Sequence, residues 1–282
     1  MGITIKELIS REGFASSLPN AYYDLKEAID DDDSEFEDFE FIINQDISLS
    51  AKLLRMVNSP FFGLDSQVET VSHAISVIGL SELNELVLAT SVLDKFKGLP
   101  SKVFDINKFS DHSVFCGTVA RLIAEMIQYP KRDTLFTSGL LHDIGRLVLC
   151  INATDKMIEC FKLCESEDKS LTEIEFETFG FDHTDVGTAV LKNWKLPAVH
   201  IETAGSHHKY NDKLEFAMET AILHVADYLA WQNDKGEVDV SSEVPVLNES
   251  AWKKLEFDED VTIESLQEII DEKLGSDDQS LI

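Results

Sequence analysis

The chain has 282 residues, 44% of them apolar, enough for one large domain or two ordinary ones around a real core. Its 53 acidic against 24 basic residues leave a net charge of −29, which opposes binding of DNA or RNA through a broad basic face. No run reaches the roughly 20 uncharged apolar residues of a membrane span, and "MGITIKELIS" lacks a signal peptide's apolar core, so a soluble, cytoplasmic protein without membrane contact is expected.

Helical periodicity runs through the chain, and strand alternation is nearly absent. The first ten residues start helix-like. Between Glu27 and Glu40 nine acids stand without a base among them. They read as a solvated face, the competing reading being recruitment of a basic partner. "SEFE" at 34–37 predicts a capping box of Ser34 with Glu37, opening a helix to about Asn44. Ser48 or Ser50 is expected to open the next, which ends near "NSPFFG" at 58–63. Helices are then predicted from about Glu69 to Gly79 and from Ser81 to Lys97, the second carrying Leu83, Leu86, Val87 and Leu93 as one stripe. The six prolines, at 19, 60, 100, 130, 197 and 245, all fall where a helix should start or stop. Pro100 and the polar stretch after it place a lobe boundary near 98–106.

Two later segments, 139–149 and 221–230, are apolar nearly all round and read as buried helices. The last segment, from 235 to 282, has 14 acidic and 4 basic residues, a net of −10, and is expected to hold two helices. One of them carries the stripe Ile263, Leu266, Ile270 and Leu274. Cys116, Cys150, Cys160 and Cys164 are too scattered for a disulfide framework and read as buried, reduced thiols. The expected fold class is all-α, a two-lobed helical bundle. Its lobes are placed at 1–100 and 101–235, with an acidic C-terminal appendage at 236–282.

The run "GLLHDIGRLVL" at 139–149 sets His142, Asp143 and Arg146 among residues that otherwise ask to be buried. "AILHVADYLA" at 221–230 does the same with His224 and Asp227. A buried carboxylate is costly unless it is paired, hydrogen-bonded or bound to metal. Local answers exist: Arg146, at i+3, can pair with Asp143, and His142 can donate to a backbone carbonyl. Further candidates accumulate, however, in His112 of "SDHSVF", His183 of "FDHTDVG", and His207 and His208 of "GSHHKY". Each is a short polar interruption expected near a helix end. Mixed imidazoles and carboxylates suit zinc, iron, manganese or nickel. A shared aspartate can bridge two such ions, and the pair can generate a nucleophile suited to phosphorus.

"GLLHDIG", with an upstream His and a downstream "HVAD", resembles the HD superfamily of metal-dependent phosphohydrolases, and more specifically its HDOD subfamily. The subfamily's other marks are "LPNAYYDLKEAI" at 18–29, "INQDISLSAKLLRMVNSPFFG" at 43–63, "VETVSHAISVIGL" at 68–80 and "DHTDVGTAVLKNWKLP" at 182–197. The resemblance covers roughly residues 15–230. It implies metal positions at His112, His142, Asp143 and Asp227. Further histidines of the related HD-GYP group, which hydrolyses cyclic di-GMP, match His183, His207 and His208. The implied cofactor is a divalent metal, of one or two ions. If the site is catalytic, Asp143 and Arg146 are its candidate catalytic residues. HD-GYP proteins carry lysine where this chain has Arg146, and no Gly-Tyr-Pro loop follows "HHKY". The resemblance therefore implies a bacterial signal-transduction module with a protein partner, the alternative being a metal-dependent phosphohydrolase of a nucleotide ligand. His224 has no ligand role in this scheme and is expected to support a ligand from behind or to be a satisfied core histidine.

Overall fold

The computed structural model describes residues 3–10, 18, 20–59, 62, 64, 66–96, 106–167, 169–233 and 246–274, and all regular structure among them is helical. The expected all-α fold is therefore what forms. Pro19, Pro60, Pro100, Pro245, Gly63 and the lobe boundary near 98–106 lie largely or wholly outside the described residues. The chain divides into two units, one of residues 1–17 and 98–268, the other of 18–97 and 269–282.

The chain begins with α1 (Ile5–Ile9), capped at Thr4, whose side chain accepts from the Glu7 N–H. The smaller unit then takes α2 (Asn20–Asp30), α3 (Phe36–Asn44), α4 (Ile47–Val57), α5 (Val71–Ile78) and α6 (Leu80–Phe96). Its core gathers Tyr22, Leu25, Ile43, Leu53, Leu83 and Leu86. Two predicted caps shift by a few residues. The helix at 36–44 starts after Glu35, whose N–H donates to Asp38 at 2.9 Å, because Ser34 is held in the preceding turn by its bond to the Asp31 carbonyl. The next is capped by Asp46, which accepts from the N–H groups of Ser48 and Leu49. A carboxylate there satisfies two orphan donors and also faces the positive helix end, so it outcompetes either serine.

Asn58 closes α4 with its side chain. Its amide Nδ2 donates to the carbonyls of Leu54 and Val68, each at 2.7 Å, and its Oδ1 accepts from the Val68 N–H at 2.7 Å. One amide thus stands in for a strand partner and ties the residues before α5 to the end of α4. Asn58→Ala is expected to lower the melting temperature by several degrees, the equivalent of about 1–2 kcal/mol. Calorimetry of the two proteins checks this, and an unchanged transition would refute the clamp.

The larger unit contains α7 (Ile106–Met126), α8 (Arg132–Leu141), α9 (Ile144–Asn152), α10 (Thr154–Ser166), α11 (Leu171–Phe179), α12 (His183–Asn193), α13 (Ala198–Ser206), α14 (Ala217–Asn233) and α15 (Glu249–Lys254). A last helix, α16 (Ile263–Leu274), begins within it. Two corrections to the expected lobes follow. Residues 1–17 belong with this unit and not with 18–97: α1 packs on α9 and α12 and buries Leu8 completely. Residues up to 268 belong here too, since α15 packs on α14 and buries Ala251 and Leu255. All four cysteines are buried and none is in a disulfide, as expected.

Among the described residues two stretches are long and apolar enough by composition to cross a membrane: the bent pair of helices over 71–92, and residues 134–152, a stretch mostly buried inside the protein. The second is not one helix. The predicted helix over 139–149 breaks at His142 and Asp143, where α8 ends and α9 begins. Two close crossings explain how these helices come together. A Cβ on Gly139 of α8 would overlap the backbone of Gly117 in α7, and one on Gly145 of α9 would overlap the His183 carbonyl oxygen at the start of α12. Glycine at these positions lets backbones touch where any side chain would hold them apart.

Candidate metal centre

The break between α8 and α9 presents two ionisable side chains to one point from adjoining helix ends. His142 is the C-cap of α8, and Asp143 is the N-cap of α9. His183 opens α12 behind Asp182, whose side chain accepts from the N–H groups of Thr184 and Asp185. His207 caps the end of α13, with His208 next to it. Asp227 projects from the middle of α14. His112 was expected near a helix end but lies well inside α7, two turns from its start. The close α7–α8 crossing brings it to the others.

All seven predicted donors meet. His112 Nε2 is 3.3 Å and His142 Nε2 3.4 Å from Asp227 Oδ1. His183 Nε2 is 3.4 Å and His207 Nε2 3.7 Å from Asp143 Oδ1, and His208 Nδ1 is 3.9 Å from Asp227 Oδ2. Donor atoms of Asp143, His183, His207 and His208 all lie within 4.8 Å of one another, and those of His112, His142 and Asp227 form a second such set. Six of the seven residues are sealed in the protein. The His208 side chain is 16% exposed and that of Arg146, paired to Asp143, 12%.

The spacing decides what these atoms are for. A good N–H···O bond spans about 2.7–3.2 Å. Two donors each about 2.1 Å from one ion lie about 3.0 Å apart at a right angle and about 3.4 Å apart at the tetrahedral angle. The separations of His112 and His142 from Asp227 and of His183 from Asp143 match the tetrahedral case, and those of His207 and His208 are longer. Accordingly Nε2 of His142, His183 and His207, Oδ1 of Asp143 and both oxygens of Asp227 are buried without a hydrogen-bond partner. Orphaned polar atoms at this depth each cost free energy. Divalent metal shared among them relieves these atoms together, so the residues fit a metal site.

The far side of each ring supports this. Nδ1 of His142 donates to the Gly139 carbonyl at 2.6 Å, and Nδ1 of His207 to the Ala204 carbonyl at 2.9 Å. A carbonyl can only accept, so Nδ1 carries a proton in each ring, and Nε2 is the atom left to face the cluster. Both local explanations for the buried charges also hold. His142 does bond a backbone carbonyl, and Arg146 Nη1 does pair with Asp143 Oδ2 at 2.8 Å. Neither consumes the atoms that face inward.

The electrostatics point the same way. Burial would raise the carboxyl of Asp143, but Arg146, His142, His207 and His183 outweigh it and hold it well below the usual range. Asp227 is held down likewise, by His112 and His142 against burial. Burial, with the neighbouring rings, drives His207 and His208 toward the neutral form. Carboxylates held ionised suit a divalent ion, and so do the neutral rings of His207 and His208; His183 is shifted the other way, toward its protonated form.

Several functional neighbours were not foreseen from the sequence. Glu175 of α11 is completely buried and accepts from both the N–H and Nδ1 of His183, at 2.8 and 2.7 Å. Against the penalty of burial, it raises the ring's affinity for a proton. The available signal was an acid on the buried side of α11, beside Leu171 and Ile174. Trp231 packs its ring 5.1 Å from His112 and 5.5 Å from the Arg146 guanidinium, closing that side. Lys209 Nζ reaches Asp182 at 2.5 Å and Thr184 Oγ1 at 3.2 Å, bracing the turn that carries His183. Glu175→Ala is expected to weaken metal binding by about 10–100-fold, read by chelator competition. Unchanged affinity would remove Glu175 from the site.

A helical unit that gathers histidines and aspartates from several helices into one buried cluster defines an HD-type domain. The chain belongs to the HDOD domain family, whose model matches residues 15–210; Asp227 and Trp231 lie beyond the match. A protein of Treponema pallidum (strain Nichols), itself uncharacterised, is 26% identical over 201 residues, 68% of this chain but only 37% of that protein. The chain thus spans little more than a third of the curated relative it matches. An HDOD domain protein of unknown function from Geobacter sulfurreducens superposes with a TM-score of 0.74 at 22% identity, over 92% of this chain and 93% of the other. A Shewanella amazonensis SB2B protein, provisionally described as a phosphohydrolase, gives 0.68 at 18% identity over 96% and 97%. A Marinobacter aquaeolei VT8 protein, provisionally described as acting in signal transduction, gives 0.68 at 20% over 92% and 56%. These likenesses establish the fold.

Proposed function

We propose that this protein is a signal-transduction module whose larger unit holds one or two divalent ions of iron, manganese, zinc or nickel. The donors are His112, His142, Asp143, His183, His207, His208 and Asp227. The observation that carries this is the set of buried, inward-facing nitrogen and oxygen atoms at ion-sharing distances. Ions so held can polarise a phosphoryl group or activate water, which keeps a phosphohydrolase as the second reading.

Access and charge favour the module. Hydrolysis of an anionic dinucleotide needs groups that orient it and stabilise its developing charge. After His208 the chain folds on itself: Tyr210 is buried with its hydroxyl on Asp212 at 2.8 Å, and Glu202 accepts from the N–H groups of Glu215 and Phe216. Acids occupy the ground where a phosphate-binding loop would stand. Of the cations near the site in sequence, Arg146 is held by Asp143 and Lys209 by Asp182. A signalling partner that reads the metal-bound form fits this better than a large substrate.

Metal analysis of protein purified without chelator, followed by steady-state turnover of cyclic di-GMP with manganese or iron(II), tests the choice. Bound metal with turnover far below the enzyme median of ~10 per second is expected. A rate near that median, abolished by Asp227→Asn, would establish the phosphohydrolase instead.

A further inference from the structure

We infer that His224 is a positioning residue that couples the metal centre to the C-terminal segment through a two-bond relay. The inference rests on the metal reading above and adds a route by which the ion's presence reaches another part of the unit. His224 lies on α14 three residues before Asp227 and is buried. Its Nδ1 donates to the backbone carbonyl of His207 at 2.6 Å. Its Nε2 accepts from the backbone N–H of Asn248 at 2.8 Å. The carbonyl fixes the proton on Nδ1, which leaves Nε2 as the acceptor that Asn248 needs. Both ring nitrogens are thereby used, so His224 cannot itself be a ligand.

Asn248 is also the N-cap of α15, its side chain accepting from the N–H groups of Ser250 and Ala251. One end of the relay is therefore the backbone of a proposed ligand, and the other is the start of a helix that docks through Ala251 and Leu255. An ion that fixes the His207 ring also fixes its carbonyl. That holds His224, which in turn holds the first turn of α15. Linkage makes the effect reciprocal: whatever α15 gains from the ion, the ion gains from a docked α15.

The test uses the full chain, manganese(II) as the ion, amide hydrogen exchange of residues 249–255 as one readout and manganese affinity as the other. In wild type, manganese should slow that exchange about tenfold, and His224→Leu should lose this response and bind manganese about tenfold more weakly. Two variants at one position isolate the bond, should His224→Leu fail to fold. Asn248→Ala removes the side-chain cap but keeps the N–H. Asn248→Pro removes both, at a φ of −80° that proline accepts. Asn248→Ala should keep the manganese response and Asn248→Pro should lose it. Equal loss in both would assign the effect to the cap and overturn the relay. So would a wild-type protein that binds manganese with no change in α15. A wild type that binds neither manganese nor any other divalent ion would overturn this inference and the metal reading together.

Discussion

Asp227→Asn protein, purified without chelator, is expected to carry about a tenth or less of the wild-type metal and to lose all dependence of its melting temperature on added ion. The substitution keeps the side chain's shape and removes its charge. Asp227 is the better probe because its direct partners are the rings of His112, His142 and His208, whereas Asp143 pairs directly with Arg146. Asp143→Ala should also lose metal, but it strands Arg146 in the interior. That alone is worth roughly 3–5 kcal/mol of destabilisation, whether or not an ion binds. In wild type, an ion at a hundred times its dissociation constant adds about 2.7 kcal/mol, or about 5–10 °C for a unit of this size. Scanning calorimetry of wild type and Asp227→Asn, each with chelator and with manganese, zinc or iron(II), reads both quantities. A wild-type transition indifferent to every ion would refute the metal centre.

The convergence of this site was legible because burial makes charge conspicuous. Asp143 and Asp227 sit in segments whose other residues are almost all apolar, so each demanded a partner, and the one local answer, Arg146, could serve only Asp143. Local rules could not reveal which partner. Glu175 escaped notice because "LTEIEFETF" has several acids, and only the packing of α11 shows which one faces inward. The break at His142 escaped for a different reason. Apolar periodicity continues smoothly across it, since both α8 and α9 are buried, and the two residues that turn the chain carry no proline or glycine signal at the turn itself. Domain limits failed in a third way. Leu8 looks like any short helix's apolar residue, and only the tertiary pocket between α9 and α12 decides that residues 1–17 join the later unit. Capping was readable in kind and off by a few residues in register, because the acids at 30–38 offer several competing caps within one turn.

Among the described glycines, Gly145→Ala is expected to be the most damaging alanine substitution. The new Cβ would overlap the carbonyl oxygen of His183 and stand 2.5 Å from the backbone nitrogen of Gly187, both on α12. Flexible side chains can give way to a methyl, but these are backbone atoms of a packed helix, so α9 and α12 must separate. Alanine is the better helix former by about 1 kcal/mol, which works in the variant's favour. Overpacking of this kind typically costs about 1–3 kcal/mol, and more where backbone must move. Separation therefore wins, and the melting temperature should fall by roughly 5–10 °C. The same movement carries Asp143, two residues before Gly145, away from His183, now 3.4 Å from its Oδ1. A donor pair splayed by even half an ångström no longer shares an ion well, so metal affinity should fall by about tenfold or more. Gly180→Ala supplies the contrast. A Cβ there meets nothing within 4 Å, yet φ is +83°, so its cost is conformational and local. It should lower stability by about 1–2 kcal/mol and leave metal affinity unchanged. If both variants lose stability but neither loses metal, the close crossing of α9 and α12 serves packing alone. If only Gly145→Ala loses metal, that crossing is what sets the distance between Asp143 and His183.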